Sequence, residues 1–262
     1  MLLQTITQKV IDIAKTAGAF IREERKTFTQ DKIEFKGLND MVSFVDKTAE
    51  KIIVEELSKL LPEAGFITEE KTINKTGERY NWIIDPLDGT TNFIHGLPVY
   101  SVSIALQEYD ELVVGVVYEI NLNECFYAWK DSPAFLNGEQ IKVSSSPSIN
   151  NSLLATGFPY YDFSKQSAYI ALFTELMKSC HGLRRLGSAA VDLAYTACGR
   201  FDGYYEYNLN PWDVAAGILI VRQAGGDVVN FNGGQEILNS RELLATNGKI
   251  TEEMLETIKK QI

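Results

Sequence analysis

Trp82-Ile83-Ile84-Asp85-Pro86-Leu87-Asp88-Gly89-Thr90-Thr91-Asn92 is the stretch on which the reading of this chain turns. Trp82, Ile83 and Ile84 form a short apolar run of the kind a buried strand makes. Asp85 then leaves the strand end, Pro86 fixes a turn, and Asp88 swings back toward the same point. Two carboxylates and a turn carbonyl such as that of Leu87 make an oxygen set that suits Mg²⁺. Gly89 lets the backbone approach closely, and the N–H groups of Gly89 and Thr90 would face a phosphate if a helical turn begins there. Asp-Pro-Leu-Asp-Gly is equally the composition of an ordinary surface turn. Carboxylates elsewhere in the chain shift the balance.

Glu69 and Glu70 follow the short segment Gly65-Phe66-Ile67-Thr68, and Asp213 follows Asn210-Pro211-Trp212. With Asn210 as N-cap and Pro211 at the first helical position, Asp213 falls where a carboxylate helps any helix, a role compatible with a second one. If Glu69, Asp85, Asp88 and Asp213 converge, each close pair repels by about 4 kcal/mol at an effective dielectric of about 20 and a separation of about 4 Å. Such a cluster needs cations or protons, and divalent metals there would serve phosphate ester hydrolysis.

Around this motif the chain reads as a layered α/β protein. Ile6, Val10, Ile13, Ala14, Ala17 and Ile21 share one helical face, and Ala49, Ile52, Ile53, Leu57, Leu60 and Leu61 repeat the pattern before Pro62. Lys36 to Asp40 reads as a loop between these helices. Strands are expected at 101–107, 112–119 and 124–129, and Asn137-Gly138 signals a hairpin turn. The Ser-rich stretch from Val143 to Asn151 separates an N-terminal half, 1–145, from a C-terminal half, 146–262. The latter reads as strands at 153–156, 203–207, 227–230 and 242–246, with helices near 165–179, 188–199 and 211–224 and after Thr251.

A chain of 262 residues, 45% of them hydrophobic, has ample material for a large core. Its 25 Lys and Arg against 35 Asp and Glu leave a net charge of -10, which opposes nonspecific attraction to nucleic acid or an anionic membrane. No partner of either kind is expected. Cys125, Cys180 and Cys198 are an odd number without paired spacing, so no disulfide framework is expected, and the absence of a signal core or membrane-length run suits a cytoplasmic protein.

Ile67-Thr68-Glu69-Glu70, Asp85 to Asn92, and Trp212-Asp213-Val214-Ala215-Ala216-Gly217 resemble the signature segments of the inositol monophosphatase family. The likeness continues through Gly187-Ser188-Ala189-Ala190, Tyr204-Tyr205-Glu206 and Gly225-Gly226. It implies an αβαβα sandwich of the type shared with fructose-1,6-bisphosphatase. It also implies two or three Mg²⁺ ions held by Glu69, Asp85, the Leu87 carbonyl, Asp88 and Asp213, with Asp85 between two of them. Asp46 would pair with the Thr90 hydroxyl to help activate water, Glu70 would support the water network, and Lys36 is a further match in its loop. Gly89 and Thr90 would meet the phosphate. Asp88, the Ala189 backbone and Glu206 would meet the substrate's hydroxyls. Lithium inhibition and a homodimer belong to the same expectation. Thr68 stands where glycine is common in the family, and Arg184 and Arg185 are left a solvated or interface role.

Rival chemistries lack material. Asp85 and Asp88 are two residues apart, one too many for the Asp-x-Asp nucleophile of haloacid dehalogenase-type phosphatases. Leu186 stands where a cysteine phosphatase would need Arg after Cys180, and His95 and His181 are too few for a histidine-based zinc site. The substrate stays open among inositol 1-phosphate, fructose 1,6-bisphosphate, histidinol phosphate, NADP and 3′-phosphoadenosine 5′-phosphate. A regulatory binding partner that keeps the fold is the alternative of another class.

Overall fold

The computed structural model describes residues 2–29, 33–37, 40–159 and 162–262, with the side chains of 33–37 and 40–42 excepted. Helix α1 spans Leu3–Thr27 and buries the expected face, Ile6 to Ile21. Between it and α2 (Phe44–Leu60), the loop expected over Lys36 to Asp40 is corrected. Strands β1 (Ile33–Gly37) and β2 (Asp40–Ser43) pair antiparallel, with Ile33 opposite Ser43 and Phe35 opposite Met41. Lys36 and Gly37 belong to β1 and Asp40 to β2, where pairing between the strands supplies the backbone bonds, and residues 38 and 39 lie outside the described ones.

A seven-stranded sheet follows, from β3 (Gly65–Thr68), β4 (Tyr80–Asp88), β5 (Ser101–Glu108), β6 (Glu111–Glu119), β7 (Glu124–Trp129), β8 (Ala134–Leu136) and β9 (Glu139–Ile141), in sequence order across the sheet. The short helix α3 (Thr90–His95) joins β4 to β5. Only β3 and β4 run parallel, and Asn137 and Gly138 turn the last hairpin with φ of 50° and 95°.

The second sheet is assembled from β10 (Leu153–Thr156), β11 (Gly182–Arg184), β12 (Gly203–Tyr207), β13 (Asp227–Val229) and β14 (Glu242–Thr246), in the order β11-β10-β12-β14-β13. The helices of this half are α4 (Gln166–Ser179), α5 (Ala189–Ala197), α6 (Pro211–Gln223), α7 (Ile237–Ser240) and α8 (Thr251–Gln261).

Alternation along the strands sorts the molecule into layers. In β4, Trp82 and Ile84 pack toward α1 and α2, whereas Ile83 faces α5 and α6. In β12, Tyr204 faces that same middle helix layer, and Tyr205 and Tyr207 pack with residues of α4 and α8. The order is therefore helices, sheet, helices, sheet, helices. Helix α6 buries every residue from Val214 to Val221, as a helix must when sheets cover it on both sides. It seats closely: a methyl group at Gly115 of β6 would stand 2.6 Å from the Ala216 carbonyl oxygen. Among the described residues no helix is long and apolar enough to cross a membrane.

Candidate active site

Where the middle helix layer begins, the N-termini of α5 and α6 face the end of β4. Here one expectation is corrected. Asp85 does not leave the strand. β4 runs on to Asp88, and Pro86-Leu87 is a bulge, because Asp85 pairs with Ser103 and Asp88 with Ser101 of β5. The Leu87 N–H donates to Asp85 Oδ1 at 2.9 Å, closing the bulge from within. Both carboxylates are thereby carried on a sheet rather than on a free turn. Gly89, at φ 97°, caps α3.

Asp46 enters through α2, where it completes a capping box with Ser43: its Oδ2 accepts the Ser43 N–H at 2.8 Å and the Ser43 hydroxyl at 2.7 Å. Its Oδ1 lies 2.9 Å from Thr90 Oγ1, which is also 2.9 Å from the Leu87 carbonyl oxygen. The single Thr90 proton serves one acceptor at a time. Burial pushes the Asp46 carboxyl upward, against the pull of these bonds.

Asp88 Oδ2 accepts the Ser188 hydroxyl at 2.6 Å and the Ala190 N–H at 2.7 Å, which ties β4 to the start of α5 beside Ala189. Asp213 completes a second capping box, its Oδ2 accepting the Asn210 N–H at 2.7 Å. Asp85, Asp88 and Asp213 thus each hold a backbone N–H with one oxygen. Glu69 follows β3, and its N–H donates to the Ile84 carbonyl at 3.3 Å.

Two residues outside the sequence motifs organise this region. Glu50, one turn after Asp46 on α2, is fully buried. It accepts bonds from the Thr68 hydroxyl (2.9 Å), the Glu70 N–H (2.8 Å), and the Thr72 N–H (2.8 Å) and hydroxyl (2.7 Å). The threonine that departs from the family pattern is therefore a donor in the anchor of the Glu69-Glu70 segment. The i, i+4 spacing from Asp46 was the available signal. Arg185 is exposed, as the expected solvated role has it, but it also lines the cavity described next, where burial raises the carboxyls of Asp88, Asp192 and Glu206 and the Arg185 charge opposes that rise. Arg184 is exposed.

These groups surround a cavity of about 410 Å³. Its wall includes Glu69, Asp85, Leu87, Asp88, Gly89, Thr90, Ala189, Glu206 and Asp213, and it also takes in Gly157 to Pro159 and Asn208 to Asn210. Asp46 and Glu70 stand behind the wall, and the Lys36 side chain lies outside the described residues. Glu206 accepts the Tyr204 hydroxyl at 2.5 Å, and a methyl group at Gly157 would stand 1.8 Å from its Oε2. Only a bare backbone leaves that carboxyl its place.

Six carboxylates (Glu69, Asp85, Asp88, Asp192, Glu206, Asp213) line the cavity against two cations, Lys71 and Arg185. Burial raises Asp85 well above the usual carboxylate range, with the charges of Glu69, Asp88 and Asp213 adding to it. Burial likewise lifts Asp88 to about 6, Glu206 to about 7 and Asp213 to about 8. Asp85, Asp88, Asp213 and Glu69 are hard oxygen donors around one space, the chemistry that Mg²⁺ takes. Among the described residues no group of three or more His, Cys, Asp or Glu side chains is already arranged to hold an ion.

Comparison with known proteins places the chain among relatives. The sequence profile of the inositol monophosphatase family matches residues 2–262. An inositol-1-monophosphatase of Mesorhizobium japonicum is 37% identical over 254 residues, covering 97% of this chain and 96% of that protein. The Nus factor SuhB of Escherichia coli is 40% identical over 250 residues, covering 95% and 94%. The crystal structure of the extragenic suppressor protein SuhB from Bartonella henselae superposes with a TM-score of 0.92 at 39% identity, covering 98% of this chain and all of that one, and so shares the layered sandwich.

Proposed function

The chain belongs to the inositol monophosphatase family, and from that premise we propose that it is a Mg²⁺-dependent phosphatase of a small phosphorylated polyol or sugar, inositol 1-phosphate foremost. The observation that carries this reading is the charge of the cavity. Ionised, the six carboxyls outnumber Lys71 and Arg185 and would repel a phosphate dianion, so the space takes an anionic substrate when divalent cations replace their protons and offset the charge. Glu69, Asp85, the Leu87 carbonyl, Asp88 and Asp213 are the residues that would hold two or three Mg²⁺. Bound Mg²⁺ supplies neutralisation of this cluster, polarisation of the phosphate and a more acidic water.

The chain's own groups divide the remaining work. Thr90 donates its hydroxyl hydrogen bond to Asp46 and keeps a lone pair for the attacking water, so that as the water's proton reaches Thr90 the hydroxyl proton passes on to Asp46, an arrangement supported by the 2.9 Å contact between them. Glu70 supports the water network from behind the wall, and Gly89 and Thr90 present N–H groups to the phosphate. Asp88, Ala189 and Glu206 take the hydroxyls of the polyol. Hydrolysis is direct, with no phosphoenzyme. The role of Lys36 rests on family resemblance alone.

The test is phosphate release from inositol 1-phosphate, fructose 1,6-bisphosphate, histidinol phosphate, NADP and 3′-phosphoadenosine 5′-phosphate, each with Mg²⁺, with EDTA and with added lithium. Mg²⁺-dependent, lithium-sensitive preference for inositol 1-phosphate is expected. Preference for another member keeps the mechanism and changes the substrate. A homodimer is expected in the same preparation by light scattering. A second reading, a regulatory binding partner that retains the fold, is favoured by the relative named as a Nus factor. Absence of metal-dependent release from every substrate would put that reading first.

A further inference from the structure

Asp192 has no part in the chemistry proposed above. It is a carboxylate on α5, a helix that otherwise buries Ala189, Ala190, Val191, Leu193, Ala194 and Ala197. It is 1% exposed, it contributes to the cavity wall, and its Oδ1 has no hydrogen-bond partner in the molecule. A buried polar oxygen left unpaired costs about 1–3 kcal/mol, and the large majority of such groups are paired. Asp192 lines an open cavity, so a turn of its carboxyl would bring this oxygen to a partner that arrives from outside.

The neighbours define what that partner is. Glu206 Oε2 is occupied by the Tyr204 hydroxyl, and Asp88 Oδ2 by the Ser188 hydroxyl and the Ala190 N–H. Both carboxylates lie close enough for their charges to act on Asp192. A wall with three carboxyls turns away a second anion and favours a neutral O–H group. The phosphate end of a substrate belongs at the start of α3, on Gly89 and Thr90, so the hydroxyl in question sits on a carbon away from the ester.

We infer that Asp192 is a specificity-determining residue: its carboxyl hydrogen-bonds a substrate hydroxyl beside the one held by Glu206, so that the cavity prefers a ring with neighbouring hydroxyls over a hydroxyl-free monoester. This rests on the proposed phosphatase reading. It goes beyond that reading by adding a contact on α5 that selects for hydroxyls without touching the reacting atoms.

The experiment compares wild type, Asp192→Ala and Asp192→Asn with inositol 1-phosphate and with p-nitrophenyl phosphate, which has no free hydroxyl, at saturating Mg²⁺. Asp192→Ala is expected to raise KM for inositol 1-phosphate about 10-fold, the loss of one hydrogen bond, with kcat within about twofold. KM for p-nitrophenyl phosphate should not move. Asp192→Asn keeps an oxygen in place and should give a smaller rise with the same selectivity, which preserves the test if the alanine variant does not fold. Equal changes on both substrates, or none on inositol 1-phosphate, overturn the inference alone. A wild type without Mg²⁺-dependent release of phosphate from any hydroxyl-bearing monoester sinks it together with the phosphatase reading.

Discussion

On one side of the cavity, Asp85 and Asp213 lean on backbone N–H groups two and three residues away, Leu87 and Asn210. On the other, Glu206, Asp192 and Arg185 arrive from β12, α5 and the segment between β11 and α5, with the bare backbone of Gly157 making room. The first wall is built from short self-bonded motifs, a strand bulge and a capping box. The second is built by packing a residue near the end of a central strand against a helix and a loop. A wall of the first kind holds its carboxylates even if neighbouring elements shift slightly. A wall of the second kind is as exact as the contacts between layers, which makes it the natural place for selectivity to vary.

Substitutions can break this contrast. The largest effect is expected from Asp88→Asn, which removes one charge at nearly constant volume: turnover with Mg²⁺ should fall more than about 100-fold while far-UV circular dichroism is unchanged. Activity near wild type would remove Asp88 from the proposed ligand set. Glu50→Gln should come next. Glu50 accepts three donors on Oε1 and one on Oε2, and an amide nitrogen accepts none, so at least one anchor of the Glu69-Glu70 segment is lost. The Mg²⁺ concentration for half-maximal activity should rise about 10-fold, with a matching loss of the Tm gain that Mg²⁺ gives the protein without substrate. An unchanged Mg²⁺ requirement would reduce Glu50 to a packing role.

On the opposite wall, Gly157→Ala should displace the Glu206 carboxyl and raise KM for the polyol phosphate about fivefold with little change in kcat. A fall in kcat alone would mean that the walls are not separable. The smallest effect concerns pH. Asp88, Glu206 and Asp213 sit at about 6, 7 and 8, above their ordinary values near 4. The folded metal-free protein then holds protons more tightly than the unfolded chain. Its stability from these groups is complete below about pH 4 and is lost as pH rises through about 6 to 8. Tm without metal should fall by about 3 °C or more between about pH 5 and about pH 8.5, and Mg²⁺ should offset most of that fall. A Tm that rises over this window would show that the carboxylates are not held in their neutral form.

How much could be read in advance follows from the same contrast. The apolar face of α1, the Asn137-Gly138 turn and the helix opened by Asn210-Pro211 lie within a few residues of the atoms that define them. Two readings failed where strand pairing supplied the missing bonds. Pairing with β5 keeps Asp85 to Asp88 within β4, and pairing between β1 and β2 takes Lys36, Gly37 and Asp40 out of the expected loop. Glu50 was passed over because a lone charged residue on a helix most often meets solvent, and Arg185, which does meet solvent, carries no local signal that it also borders the cavity.

By itself the sequence determined most of the helices and strands, the family resemblance, and the presence of carboxylates at Glu69, Asp85, Asp88 and Asp213 beside strand and helix ends. These depend on spacing along the chain, on caps three residues long and on strand alternation, all local geometry. Only the tertiary structure decided that Glu50 anchors the segment after β3, that Arg185 enters the cavity, and that Asp192 stands in its wall with an unpaired oxygen. Their partners come from other layers, and the packing of α5 and α6 between two sheets, rather than any interval in the sequence, sets those distances.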